Sequence, residues 1–290
     1  MDKSLSVLCA SLKKIFCQLK TQHTPLSFIL LTGKLQQGKT TLLQQSQLNH
    51  LPIDLENNAN IFYNSRGVIL ELGEYWLSRS ENLLTYTLKQ LNNCHSGIRI
   101  SGLLLCVDSG ELLATEPNQL VDHCKSHIQF IQRFGYALGY RIDMGIIFSK
   151  LDTLAGFCEF FQSEHPNELL KPLGFSLTHA GNRKQFIEQF KNQFDAMVET
   201  LGQQIINKLH PARSTVKRTL IREFPLQLAS LRIPIQTIIQ TISPKFFRVQ
   251  AIYFTSAEQG GVSLDGLNKK IQREYALVVQ DKFPQSNNYR

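Results

Sequence analysis

Apolar residues recur along this chain in two different periods. Leu5, Leu8, Leu12, Ile15, Phe16 and Leu19 follow the three- and four-residue spacing of one helix face, with Lys13, Lys14 and Lys20 elsewhere. Residues 1–24 are therefore predicted to form an amphipathic helix, ended by Thr24-Pro25. Short apolar runs then alternate with helical stretches. Ser27–Thr32, Gly67–Leu72, Gly102–Asp108 and Met144–Ser149 have the length of buried strands. Thr40–Asn49, Ser80–Leu91, Asn118–Leu138 and Leu154–Phe161 read as helices between or after them. This alternation predicts an α/β fold: a mostly parallel sheet with helices on both faces. From 182 to 243 the pattern is helical throughout. Phe186, Ile187, Phe190, Phe194, Met197, Val198 and Leu201 form one stripe, and Phe224–Ile242 forms another, interrupted by Pro234. Val249–Thr255 reads as a last strand that returns to the sheet. The expected division is an N-terminal helix at 1–24, a sheet domain at 25–181 and 244–262, a helical subdomain at 182–243, and a helix with a polar tail at 263–290.

Composition narrows the class. The chain has 290 residues, 42% hydrophobic and 19% charged, which suits a globular protein and excludes collagen, coiled coil and wholesale disorder. No apolar run approaches the ~20 residues of a membrane-spanning helix. Residues 1–20 mix Asp2, Lys3, Lys13 and Lys14 with apolar positions, so no signal peptide is expected there. The net charge is +8, from 31 Lys and Arg against 23 Asp and Glu. These charges are scattered and lack the aromatic interleaving of a single-strand nucleic-acid groove, which favours a membrane-proximal protein over a nucleic-acid binder. The six cysteines form no C-x-x-C pair, so reduced thiols in a cytoplasm are expected.

One motif carries chemistry. Gly33-Lys34-Leu35-Gln36-Gln37-Gly38-Lys39-Thr40 fits G-x-x-x-x-G-K-[ST], with a strand before it and a helix after it. The glycines let the backbone wrap closely, so that amides of Gly33, Gln36, Gln37, Gly38, Lys39, Thr40 and Thr41 can face phosphate oxygens. Lys39 would reach the β- and γ-phosphates and Thr40 would ligate Mg²⁺. The alternative is a relic loop that has lost nucleotide. Three further segments occupy places that a GTPase-like P-loop protein uses. Ser149-Lys150-Leu151-Asp152 fits [NTS]-K-x-D, in which the Asp reads guanine and the Lys stem packs over the base. Thr255-Ser256-Ala257 resembles the short loop that completes the base pocket. The D-x-x-G segment, whose Asp supports Mg²⁺, is altered to Leu70-Glu71-Leu72-Gly73. Counting from Gly73 puts Leu70 at the Asp position, and a one-residue slip puts Glu71 there. No catalytic Gln follows Gly73. These features point to GTP or ATP with Mg²⁺ as a weak ligand and to slow hydrolysis.

The same stretches resemble the cytoplasmic domain of the IcmF/TssM inner-membrane secretion proteins. Ser149-Lys150-Leu151-Asp152-Thr153-Leu154-Ala155-Gly156-Phe157-Cys158-Glu159-Phe160-Phe161 is similar to that family's T-K-L-D-x-x-x-G-F-x-E-F-F. Arg222-Glu223-Phe224-Pro225 and Arg248–Ser256 resemble its F-P and R-G-x-Y-F-T-S blocks. Departures at Asn60–Asn64 and Leu70–Gly73 favour the type IVB Dot/Icm branch over type VI. The resemblance implies a scaffold at the cytoplasmic face of the bacterial inner membrane, with a DotU/TssL-type protein as partner. The alternative is an active GTPase or ATPase that drives or gates assembly. Other groups have ordinary readings. His123, Cys124 and His127 share one predicted helix, but no third metal ligand has suitable spacing, so a solvated face is expected. Phe157, Phe160 and Phe161 are expected to pack in the core, and Glu71 and Glu74 to lie on the surface of the switch segment.

Overall fold

A computed structural model describes residues 3–19, 26–46, 48–54, 59–78, 80–116, 118–162, 172–178, 182–209 and 213–256. The expected helix and tail at 263–290 and Ala257 lie outside them. Eight strands form one sheet: β1 Ser27–Thr32, β2 Asn49–Asp54, β3 Ala59–Asn64, β4 Gly67–Leu72, β5 Ile100–Asp108, β6 Ile142–Ser149, β7 Leu173–Ser176 and β8 Phe247–Phe254. The order across it is β2-β3-β4-β1-β5-β6-β8-β7. Strands β4, β1, β5, β6 and β8 run parallel, while β2, β3 and β7 are antiparallel to their neighbours.

The parallel strands carry continuous apolar runs because both faces are covered. On one face Phe28, Leu30, Leu70, Leu103, Leu105, Ile146 and Phe148 share a core with most of the described helices. Those helices include α1 Lys3–Leu19, α4 Glu81–Asn92 and α6 Leu120–Leu138, with the short α3 Glu74–Leu77 and α5 Ser109–Ala114 beside them. On the other face Ile29, Leu31, Ile69, Leu104, Cys106, Ile147 and Tyr253 pack with Leu42 and Leu43 of α2, Lys39–Gln44. The α1 stripe predicted from its periodicity, Leu5, Leu8, Leu12, Ile15 and Phe16, is the buried one.

Three strands escaped the hydrophobic pattern, and each lies toward or at an edge of the sheet. The helix expected at Thr40–Asn49 stops at Gln44, and Asn49 opens β2. Strand β2 carries Pro52, which has no N–H to donate to a ladder and is tolerated at an edge. At the opposite edge β7 is four residues long, too short to register as a periodicity. The helix expected at Leu154–Phe161 resolves into a 3-10 turn, Leu151–Thr153, and the five-residue α7, Phe157–Phe161.

Among the described residues, three helices lie between 182 and 243: α8 Arg183–Lys208, α9 Thr215–Ser230 and α10 Arg232–Thr241. A capping box between Asn182 and Gln185 starts α8. Pro234 sits in the first turn of α10, where a missing N–H costs little. The hydrophobic core of these helices is continuous with that of the sheet. Phe190 of α8 meets Phe175 of β7 at 6.1 Å between ring centroids, and Phe194 meets Phe254 of β8 at 6.0 Å. Phe224 of α9 lies 5.1–5.6 Å from Phe157, Phe160 and Phe161 of α7. The three α7 rings thus pack inward, as expected for Phe157 and Phe160, with Phe161 half-buried.

Gly156 makes that packing possible. Its φ is +86°, and a Cβ there would lie 1.8 Å from the carbonyl oxygen of Leu220 in α9. Gly156→Ala should lower stability by about 2 kcal/mol or more: roughly 1–2 kcal/mol for the left-handed conformation, plus the displacement of α9. Denaturant unfolding measures this, and an unchanged midpoint would show that α7 and α9 separate freely.

Candidate functional site

Taken by their order in the chain, the parallel strands β1, β4, β5, β6 and β8 are arranged second-first-third-fourth-fifth. In such a doubly wound sheet the winding reverses between the first and third strands, and a crevice opens beyond their carboxyl ends. The loop 33–40 leaves β1 at that point. Gly33 lies against β5: a Cβ would sit 2.4 Å from the carbonyl oxygen of Cys106. Gln36 has φ 58° and Gly38 φ 75°, both in the left-handed region that glycine enters without steric cost and Gln36 does not. Lys39 is buried and donates from Nζ to the carbonyl oxygens of Gly33, at 3.0 Å, and of Lys34. The loop is thus closed over its own ammonium. Gln37 is buried too, and neither its Oε1 nor its Nε2 has a hydrogen-bond partner among the described residues. Orphaned amide atoms inside a closed loop are costly unless the site holds a further polar group.

Glu71 takes the place left open by the altered switch segment. Leu70 is wholly buried in the helical-face core, and Glu71, which follows it on β4, points to the opposite face. Its Oε1 accepts a 2.6 Å hydrogen bond from Thr40 Oγ1, and its Oε2 accepts a 2.9 Å bond from Asn60 Nδ2. The one-residue slip is therefore the register that the fold adopts, and Glu71 is not on the surface. Asn60 faces Glu71 directly in the β3–β4 ladder. His50 of β2 continues the chain, with Nε2 3.1 Å from Asn60 Oδ1 and its ring stacked on Phe62 at 4.4 Å. Sequence reasoning misses Asn60 and His50 as site residues, because they lie in strands that the hydrophobic pattern does not mark. Gly73 is buried directly after β4.

The segments expected to read a base meet at the ends of β6 and β8. Ser149 Oγ donates to the carbonyl oxygens of Gln37, at 2.8 Å, and Val107, at 3.1 Å, joining this segment to the loop. Ser256 Oγ donates to Asp152 Oδ1, and the Leu151 amide donates to Thr255 O at 3.2 Å. Thr255 is buried and its Oγ1 has no partner among the described residues. Lys150 adopts φ 56°, and its Nζ pairs with Asp108 Oδ2 at 2.8 Å. Asp108 also caps α5 through the amides of Gly110 and Glu111. Burial pushes the Cys106 thiol up to about 11, so this cysteine under the loop is an inert packing group. It donates to Gln37 O at 3.2 Å.

Gly33, Gln36, Gln37, Gly38, Lys39, Thr40 and Thr41, with Glu71, Gly73, Ser149, Lys150, Asp152, Thr255 and Ser256, therefore line the carboxyl edge of one sheet. Sheet order and helices together define an α/β fold with a mostly parallel sheet covered by helices. The sequence profile of the IcmF-related N-terminal domain matches residues 79–290. The chain belongs to that family. The type VI secretion system component TssM1 of Pseudomonas aeruginosa is 25% identical over 175 residues. That match covers 58% of this chain and 16% of the relative, so the chain spans a small part of that protein's length. Among solved structures, the small COPII coat GTPase SAR1 from Encephalitozoon cuniculi in complex with GDP overlays with TM-score 0.32 and 9% identity, over 77% of this chain and 89% of that one. The GDP form of the signal recognition particle receptor SRb from Chaetomium thermophilum overlays with TM-score 0.33 and 12% identity, over 86% and 99%. The complex of SsGBP with GDP gives 0.36 and 12%, over 93% and 57%.

Ser149→Ala tests the joint between loop and base segment. It removes the donor to Gln37 O and Val107 O and should lower stability by about 1–2 kcal/mol, the usual effect of deleting a buried hydrogen-bond partner. Equal denaturant midpoints for variant and wild type would show that the joint is not needed to hold the loop.

Proposed function

We propose that this domain binds a guanine nucleotide with Mg²⁺ and serves as the nucleotide-binding-fold module of a bacterial secretion-system inner-membrane scaffold, with slow hydrolysis. The observation that carries the reading is the convergence of loop, carboxylate and base segment, tied by Thr40 to Glu71 and by Ser149 to Gln37. In this reading the loop amides and Lys39 hold the phosphates, Lys39 exchanging its bonds to Gly33 O and Lys34 O for phosphate oxygens. Asp152 accepts from the guanine edge, with Ser256 orienting its carboxylate. Thr40 and Glu71 suit a hard cation, because both offer oxygen and stand 2.6 Å apart. When bound, Mg²⁺ would neutralise phosphate charge there.

Glu71 removes the objection that nothing supports the cation. What limits turnover in this reading is the segment after Gly73, which offers Glu74, Tyr75 and Trp76 and no water-positioning Gln. The secretion role rests on family membership and on the TssM1 relative, and it extends to a DotU/TssL-type partner at the cytoplasmic face of the inner membrane. Type IVB and type VI systems are both compatible with it.

Titration with labelled GDP and ADP, with and without Mg²⁺, tests the binding. Lys39→Ala should weaken GDP by about 10-fold or more, the worth of one charge-assisted hydrogen bond of ~1.5–3 kcal/mol. Asp152→Asn should reduce the guanine-over-adenine preference by a similar factor. Unchanged affinities in both variants would reject the assignment. Phosphate release should stay far below the enzyme median of ~10 s⁻¹. Lys39→Ala should still capture the cytoplasmic domain of the DotU/TssL-type partner. Rapid release by wild type together with lost capture by the variant would favour a nucleotide-driven machine instead.

A further inference from the structure

The helix face carrying His123 and His127 is not solvated. His127 is fully buried, His123 is partly buried, and α5 supplies the third group that the chain spacing concealed. His127 Nε2 lies 3.1 Å from His123 Nε2, and His123 Nε2 lies 3.4 Å from Glu111 Oε1. One ligand atom from each of the three residues falls within 4.8 Å of the others. A tetrahedral ion with bonds of about 2.0–2.1 Å has ligands about 3.3 Å apart, so two of the three separations already match. The chemistry matches as well: two imidazoles one helical turn apart and one carboxylate from a neighbouring element form a common zinc donor set.

We propose that Glu111, His123 and His127 form a binding site for a zinc-type divalent ion, with the fourth position open to water.

A neutral imidazole carries one lone pair on its ring, so each histidine can offer one nitrogen to an ion. Without an ion, two Nε2 atoms at 3.1 Å must share one N–H between them. His127 Nδ1 is buried with no partner among the described residues in either arrangement. Moving each proton to Nδ1 frees both Nε2 lone pairs for one metal. Asp108 fixes the start of α5 by accepting from the amides of Gly110 and Glu111, which places the Glu111 backbone. Lys34 Nζ, 3.6 Å from Glu111 Oε1, opposes a cation at this point. Lys34 belongs to the loop 33–40, so the site adjoins the candidate nucleotide site without sharing its ligands. Cys124 is not a ligand: its Sγ is directed at Pro234 O in α10.

The test uses the whole chain, stripped by a chelator and titrated with Zn²⁺ alone by calorimetry, and with Co²⁺ by visible absorption. Wild type should bind one ion per chain and give the intense Co²⁺ bands of a four-coordinate site. His123→Ala and the near-isosteric Glu111→Gln should each weaken Zn²⁺ by about 10–100-fold or more, the range set by lost outer-shell partners alone. Both residues are partly exposed, and circular dichroism confirms folding. His95→Ala, outside the cluster, should bind as wild type does. Failure of wild type to bind Zn²⁺, or wild-type binding and spectra in His123→Ala and Glu111→Gln, would overturn the proposal. In that case the three groups are a hydrogen-bonded packing cluster only.

Discussion

Strand β1 is paired in parallel with β4 on one side and β5 on the other, and all later placement follows from that position. A chain that has wound one way from β1 to β4 must wind the other way to reach β5. Helices therefore diverge at the carboxyl end of β1 and leave a crevice. The loop 33–40 enters that crevice under a close constraint. Gly33 passes the Cys106 carbonyl with no room for a Cβ, and Ser149, one strand further, donates to Gln37 O. The loop's shape is imposed from β5 and β6 as much as from its own residues.

The same geometry explains how a divergent switch segment still supplies a carboxylate. Alternate residues of a strand face opposite sides, so an acid one position away from the usual place ordinarily points into the wrong layer. Here Leu70 faces the helical core and Glu71 faces Thr40, with Asn60 as its ladder partner. The extra edge strand β2 then lets His50 reach Asn60. A polar chain thus runs from the sheet edge to the hydroxyl of the loop, and each of its members has a partner. A buried carboxylate is tolerated when its oxygens accept hydrogen bonds in this way.

The helices of 183–241 are tied to the sheet rather than set beside it. Aromatic contacts run from α7 to α9 and from α8 to β7 and β8. The Gly156–Phe161 block therefore has a packing reason as well as its place next to Asp152. Any change at residues 149–161 bears on the mount that carries the helical layer.

The parallel strands and the loop were legible in the sequence because each is a local signal. A doubly buried strand is a continuous apolar run, and a phosphate loop is a fixed spacing of glycines and one lysine. Strands β2, β3 and β7 were not legible, since edge and near-edge strands of mixed polarity have no face that must be wholly apolar. The choice between Leu70 and Glu71 is a question of register, which pairing with β1 and β3 decides. Glu111 could not be joined to His123 and His127 by spacing, because α5 and α6 meet only when β5 delivers one beside the other. Sequence alone marked the parallel strands and the loop 33–40. The tertiary structure decided which of their side chains meet, because those contacts link residues far apart in the chain and exist only once the sheet has set the order of its strands.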